Sequence, residues 1–143
     1  AGACHTDGLV VDEVGAPLWS PDTNERRQRD WDHEPVRDTL RAQFEGNLVL
    51  HASALIRREV WDEVGGQPDP YGGEDWGFWI RVLGRGHRLA HLAEPLYLWR
   101  KHDGNTSNDE RREAGRRHAR RRLAIRYARQ LSPREVARYV VRG

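Results

Sequence analysis

Apolar residues along this chain come in short bursts between polar stretches rich in glycine and proline. The spacing inside each burst indicates the element it builds. Leu9, Val10 and Val11 are consecutive β-formers and Asp12 to Gly15 supply a turn, so GACHTDGLVVDEVGAPL reads as strand, turn, strand. Residues 20–33 form a polar loop in which Trp31 is the one side chain that needs cover. Pro35 suits the first turn of a helix running to about Gln43, and Val36, Leu40 and Phe44 recur every fourth position. Asn47 to Ile56, NLVLHASALI, is a candidate buried strand. RREVWDEVGG follows as a short helix that Gly65 and Gly66 stop.

Beyond a loop over residues 67–73, Glu74 to Gly84 reads as a helix with Trp76, Ile80 and Leu83 on one face. HRLAHLA and LYLWRKH are two strands split by Glu94-Pro95, and HDGNTSN is a loop. A long Arg-rich helix is expected from Asn108 to about Gln130, with Leu123, Tyr127 and Leu131 lined up and Ile125 and Ala128 nearby. Ser132-Pro133-Arg134-Glu135 is a capping box that opens a last short helix. The expectation is an α/β fold: a small mixed sheet with packed helices over residues 1–107, then a basic helical tail over 108–143.

The length of 143 residues suits one core, and 32% charged residues suit a heavily solvated surface. A single cysteine, Cys4, excludes an internal disulfide and a cysteine zinc site. No apolar run reaches the roughly 18 residues a membrane helix needs, and no secretory leader pattern is seen, so the cytoplasm is the expected compartment. The net charge of +2 hides an asymmetry: residues 1–108 carry 12 Arg or Lys against 18 Asp or Glu (−6), and residues 109–143 carry 12 against 4 (+8). That tail reads either as a docked helix with a solvated basic face or as a peripheral contact with anionic lipid headgroups. Nucleic acid is not an expected partner, since no recognised nucleic-acid-binding fold accompanies the charge.

The chemistry gathers at PYGGEDWGFWIR, Pro70 to Arg81. Glu74 and Asp75 stand at a helix start, where the backbone dipole favours negative charge, and that alone accounts for helix-start acids. It does not account for Gly72 and Gly73, which leave room beside them, or for Trp76 and Trp79, whose faces could stack on sugar rings. Adjacent helical positions point about 100° apart, so only one of the acids can face a pocket. A carboxylate so placed suits a general base, worth about 10²–10⁴-fold in rate.

Four ordered segments resemble the C-terminal half of family-2 glycosyltransferases, enzymes of the GT-A fold, over about residues 3–107. NLVLHASALIRREVWDEVGG resembles the family's strand and RR-x-V/F-x-x-x-GG helix. GGEDWGFWIRVLGRGHRL resembles its G-x-ED-W/D-x-x-x-x-R segment. EPLYLWRKHDGNTS resembles its PL-Y-x-x-R-x-H-x-x-S ending, and HTDGLVVDEVGAPL the strand and turn after its metal motif. The resemblance implies an inverting transfer of sugar from a nucleotide-sugar to a hydroxyl of a glycan or lipid-linked acceptor. It implies Asp75 as the catalytic base, and Glu74, Trp76 and Gly73 as acceptor-binding residues. It implies Arg100 and Lys101 as contacts to the departing diphosphate. His102 would be a ligand of a divalent ion, Mn²⁺ or Mg²⁺; a neutral imidazole suits such an ion, and an ordinary loop histidine is the alternative. His5, His33, His51, His87, His91 and His118 show no metal-ligand spacing and read as structural.

The family's nucleotide-binding half, closed by an Asp-x-Asp metal motif, would precede Ala1. Asp30-Trp31-Asp32 has the pattern but lies after the first strand pair, and reads as a chance match. The chain therefore reads as the acceptor-side portion of a transferase, expected to be inactive alone and to need the other half for its metal. The competing class is a non-catalytic interaction module on the same scaffold, its basic helix contacting a partner or an anionic membrane surface.

Overall fold

A computed structural model describes residues 1–18, 31, 33–67, 74–104 and 111–142, and of 111–114, 116 and 142 it describes the backbone alone. Among these residues lie three strands, β1 (Ala3–Val11), β2 (Leu55–Ile56) and β3 (Leu89–Arg100), and five α-helices. The helices are α1 (Val36–Glu45), α2 (Arg58–Val64), α3 (Glu74–Gly84), α4 (Arg111–Arg126) and α5 (Pro133–Arg142). The fold is a mixed α/β one. Its sheet runs β2-β1-β3, with β1 antiparallel to β2 and parallel to β3.

The strand–turn reading of the first residues holds for β1 and its turn. Asp12 Oδ1 accepts the N–H groups of Val14 and Ala16 at 3.0 and 2.8 Å and shapes the reversal. The chain then returns only as a single bridge, Val11 to Pro17, so the expected second strand does not form. The two strands expected around Glu94-Pro95 are one strand, β3. Its register with β1 shifts between Thr6 and Asp7 and again between Asp7 and Gly8, where Pro95 and Tyr97 are the partners. A proline has no N–H for a ladder, and a bulge accommodates it without ending the strand.

The expected strand from Asn47 to Ile56 shrinks to Leu55–Ile56, although Leu48 and Val49 are fully buried. Side chains take the hydrogen bonds that a ladder would have used. Gln43 Oε1 accepts the Leu48 N–H at 2.8 Å, and a 3₁₀ turn at His51–Ser53 follows. Ser53 Oγ accepts the Thr6 N–H at 3.1 Å and lies 3.0 Å from the Thr6 carbonyl, standing in for a strand beside β1. Gly65, at φ 78°, ends α2 in the left-handed conformation that glycine adopts without a Cβ penalty.

α3 is buried nearly all round: Trp76, Gly77, Phe78, Trp79, Ile80, Val82 and Leu83 are all inside. The one-faced reading of this helix is therefore too narrow, because helices pack on it from several sides. α4 lies along α3 in the same direction. Arg120 stands over Trp76, Leu123 beside Gly77 and Tyr127 against Gly84. Leu123, Tyr127 and Leu131 are buried as their spacing implied, whereas Ile125 is 63% exposed. In α5, Tyr139 stacks on Phe44 with ring centroids 4.8 Å apart and bonds to the Glu45 carboxylate. Burial, followed by that bond, pushes the Tyr139 phenol above its ordinary range. The capping box forms as expected: Ser132 N–H donates to Glu135 Oε2 at 2.6 Å, and Glu135 N–H donates to Ser132 Oγ at 3.3 Å.

The contact of Tyr127 with Gly84 is testable. A Cβ on Gly84 would sit 2.3 Å from Tyr127 Cε1, and Tyr127 is only 6% exposed. Gly84→Ala is expected to cost about 1–3 kcal/mol through overpacking, a fall of roughly 3–10 °C in melting temperature. Differential scanning calorimetry measures it, and adding Tyr127→Leu should recover part of the loss. An unchanged melting temperature would show that α4 does not dock there.

Candidate functional site

The acids of interest open α3, and the residues that hold them come from the end of α1. Gln43 is fully buried and serves as the organiser. Its Nε2 donates to Asn47 Oδ1 at 3.1 Å and to the Trp76 carbonyl at 3.3 Å, and its carbonyl accepts the Trp76 indole N–H at 2.7 Å. Asn47, so oriented, donates through Nδ2 to Asp75 Oδ2 at 2.9 Å. The other carboxylate oxygen, Oδ1, accepts the Trp76 N–H at 2.7 Å. Asp75 is partly buried and held at both oxygens, and the bonds to described residues leave a lone pair on each. A carboxylate fixed in this way can take a proton from a hydroxyl brought within reach.

Glu74 begins the same helix and is partly buried. Gly73 lies outside the described residues, as do Gly72 and the two aspartates of the Asp30-Trp31-Asp32 match. Trp31 has the cover it needed, at 6% exposure. Trp76 and Trp79 depart from the expectation of open stacking faces, at 5% and 0% exposure. Phe44 meets the Trp76 ring edge-on at 5.8 Å, and the Arg120 guanidinium covers it at 5.2 Å. Trp79 packs against Phe78 and His51. Both indoles are core, because α3 is enclosed.

The cationic group at the end of β3 makes contacts within the chain. The Arg100 guanidinium donates to the carbonyls of Asp12 and Glu13 and clamps the turn after β1. Lys101 places its ammonium 5.2 Å from the Trp99 ring centroid, and its N–H donates to the Val11 carbonyl at 2.8 Å. His102 is exposed on the following turn. Among the described residues, no group of three or more His, Cys, Asp or Glu side chains is placed to hold a metal ion. His91 Nε2 lies 2.9 Å from Asp7 Oδ1 and its ring stacks on His5. His51 pairs with Gln67, and His87 with Glu63.

Sequence reasoning passed over Gln43, Asn47 and Arg120. The first two carry a signal: two amides four residues apart at a helix end, directly before the buried Leu48 and Val49. Arg120 carries none, since its meeting with Trp76 is set by how α4 lies on α3.

No protein-family model, no curated protein and no solved structure matches the chain. Among the described residues no helix is long and apolar enough to cross a membrane.

Proposed function

We propose that this chain is the acceptor-side, base-bearing portion of an inverting glycosyltransferase of the family-2, GT-A type. The observation that carries the reading is the Asp75 carboxylate, held at the start of α3 by Asn47 and by its own helix N–H. Asp75 takes the proton of the acceptor hydroxyl while that oxygen forms its bond to the anomeric carbon. The anomeric C–O bond to the diphosphate breaks on the opposite side, its electron pair leaves with the nucleoside diphosphate, and the configuration inverts. Asn47 and Gln43 hold the base in place, and Glu74 orients the acceptor. A divalent ion bound mainly by the donor half would neutralise the leaving diphosphate. This reading places the reaction in the cytoplasm.

The test has two arms. A protein that joins this chain to a nucleotide-binding half should release nucleoside diphosphate from a UDP-, GDP- or dTDP-sugar with Mn²⁺ and an acceptor. The 143-residue chain alone should show no calorimetric binding of those sugars, and a micromolar dissociation constant would contradict the assignment of donor binding to another half.

A second reading, a non-catalytic module at an anionic membrane surface, draws on one observation. Arg117, Arg121, Arg122, Arg126 and Arg129 are exposed, while Ala119, Leu123, Ala124 and Tyr127 are buried. Each arginine near an anionic leaflet contributes about 1 kcal/mol, within a Debye length. Sedimentation with anionic vesicles that salt abolishes, and none with neutral ones, is the outcome expected. Equal behaviour of the two vesicle types would end this reading.

A further inference from the structure

β3 is the outer strand of the sheet: β1 lies on one side of it and, among the described residues, no strand lies on the other. It is 12 residues long, and a long edge strand with apolar side chains is a template for another strand. Leu96 and Leu98 are 65% and 61% exposed, and Leu9, the β1 neighbour of Leu98, is 44% exposed. Lys101 donates its N–H inward, to the Val11 carbonyl at 2.8 Å. Backbone groups alternate in direction along a strand, so the N–H and carbonyl of Leu98 point outward, away from β1.

The segment Glu94 to Arg100, EPLYLWR, is complementary to itself about Tyr97. Turned round by a two-fold axis at Tyr97, it sets Leu96 against Leu98, Pro95 against Trp99, and the acid Glu94 against the base Arg100. Parallel copies would set Glu94 against Glu94 and Arg100 against Arg100, which like-charge repulsion disfavours. Both residues are exposed, and Arg100 stays so while its Nη1 holds the turn after β1. The antiparallel pairing takes its hydrogen bonds at Leu98 and Leu96, so the N–H that Pro95 lacks is not called on.

We propose that a second copy of this chain pairs with the outer edge of β3, antiparallel about Tyr97. The sheet β2-β1-β3 of one copy then continues into β3-β1-β2 of the other. Leu96 and Leu98 of both copies leave water together, and a Glu94–Arg100 pair flanks them on each side. A two-fold interface must be self-complementary, and this segment meets that condition. The proposal does not draw on the transferase reading.

Sedimentation velocity of the 143-residue chain, from micromolar to millimolar concentration, is the first test. The sedimentation coefficient should rise from that of a monomer to that of a dimer, and a monomer throughout overturns the proposal. Leu98→Lys puts a charge into the apolar contact and should leave a folded monomer where the wild type is dimeric. A dimer that persists in that folded variant uses another surface and overturns the proposal. Glu94→Arg and Arg100→Glu should each weaken the dimer by about tenfold or more, since both symmetry-related pairs turn repulsive. An equal mixture of these two variants should restore it, because every substituted position then faces the opposite charge. No restoration overturns the antiparallel register. Tyr97→Cys gives a readout that needs none of the charge variants to fold. Residues facing each other across a non-hydrogen-bonded antiparallel pair have Cα atoms about 4.5 Å apart, within disulfide reach. Mild oxidation should therefore link two copies through position 97. Val14→Cys, exposed on the turn after β1, should not link beyond the background of Cys4. Equal linking in the two variants overturns the proposal.

Discussion

A chain cut after Ser107 is expected not to fold. Residues beyond the cut supply Leu123, Ala124, Tyr127, Leu131 and Tyr139 to the same buried cluster that holds Phe44, Trp76 and Leu83. Burying one large apolar side chain contributes roughly 1.5–3 kcal/mol, so losing Leu123, Tyr127, Leu131 and Tyr139 removes about 6–12 kcal/mol. A whole domain is commonly stable by only about 5–15 kcal/mol. Polar contacts go as well. Gln130 Nε2 donates to the Gly84 carbonyl at 2.9 Å, Arg37 Nε donates to the Gln130 carbonyl at 2.9 Å, and Arg41 Nε lies 3.1 Å from Glu135 Oε1. Circular dichroism of the truncated chain should show no cooperative melt. A melt within a few degrees of the intact chain would mean that α4 and α5 are appended to a unit that is complete without them. Loss of vesicle binding in that same truncation would then bear on the membrane reading, which an unfolded product cannot do.

The parts of the fold that a linear pattern reveals are those decided locally. α2 and its Gly65 stop, α3 from Glu74 to Gly84, and the Ser132–Glu135 box all follow from caps and spacing, and all form. The misses come where distant residues decide. Leu48 and Val49 are as buried as strand residues, but Gln43 reaches the Leu48 backbone first, and Ser53 serves Thr6 in place of a ladder. A period-of-two reading cannot see a side chain five residues back competing for an N–H. At the site, the acids stand where the glycines and helix start implied. The tryptophans beside them do not open to solvent, since burial depends on what crosses α3. Arg100 illustrates the same limit: its charge is evident in the sequence, but its use on the carbonyls of Asp12 and Glu13 depends on the pairing of Val11 with Arg100.

Asp75→Asn should abolish turnover in a transferase that contains this chain, and the size of the loss separates a base from a helix-start acid. Both Asp75 oxygens accept N–H donors, Oδ1 from Trp76 and Oδ2 from Asn47. An asparagine has one oxygen, so its amide group must face one of those donors, and stability falls by about 1–3 kcal/mol. Losing the favourable charge at the helix start adds about 0.3–1 kcal/mol. A protein with ordinary stability survives that cost and stays folded. If the acid is only structural, turnover should fall in proportion to the folded fraction, which stays near one well below the melting temperature. If it is the base, turnover should drop by about 10²–10⁴-fold on a folded protein, because the amide has no basic oxygen to take the hydroxyl proton. The two measurements are the melting temperature and the rate of nucleoside diphosphate release, made on the same preparation. Asn47→Ala supplies the control for position: it frees Oδ2 while keeping the carboxylate, so the rate should fall less than with Asp75→Asn. Turnover above a tenth of wild type in Asp75→Asn would remove Asp75 from the chemistry and leave it as a cap on α3.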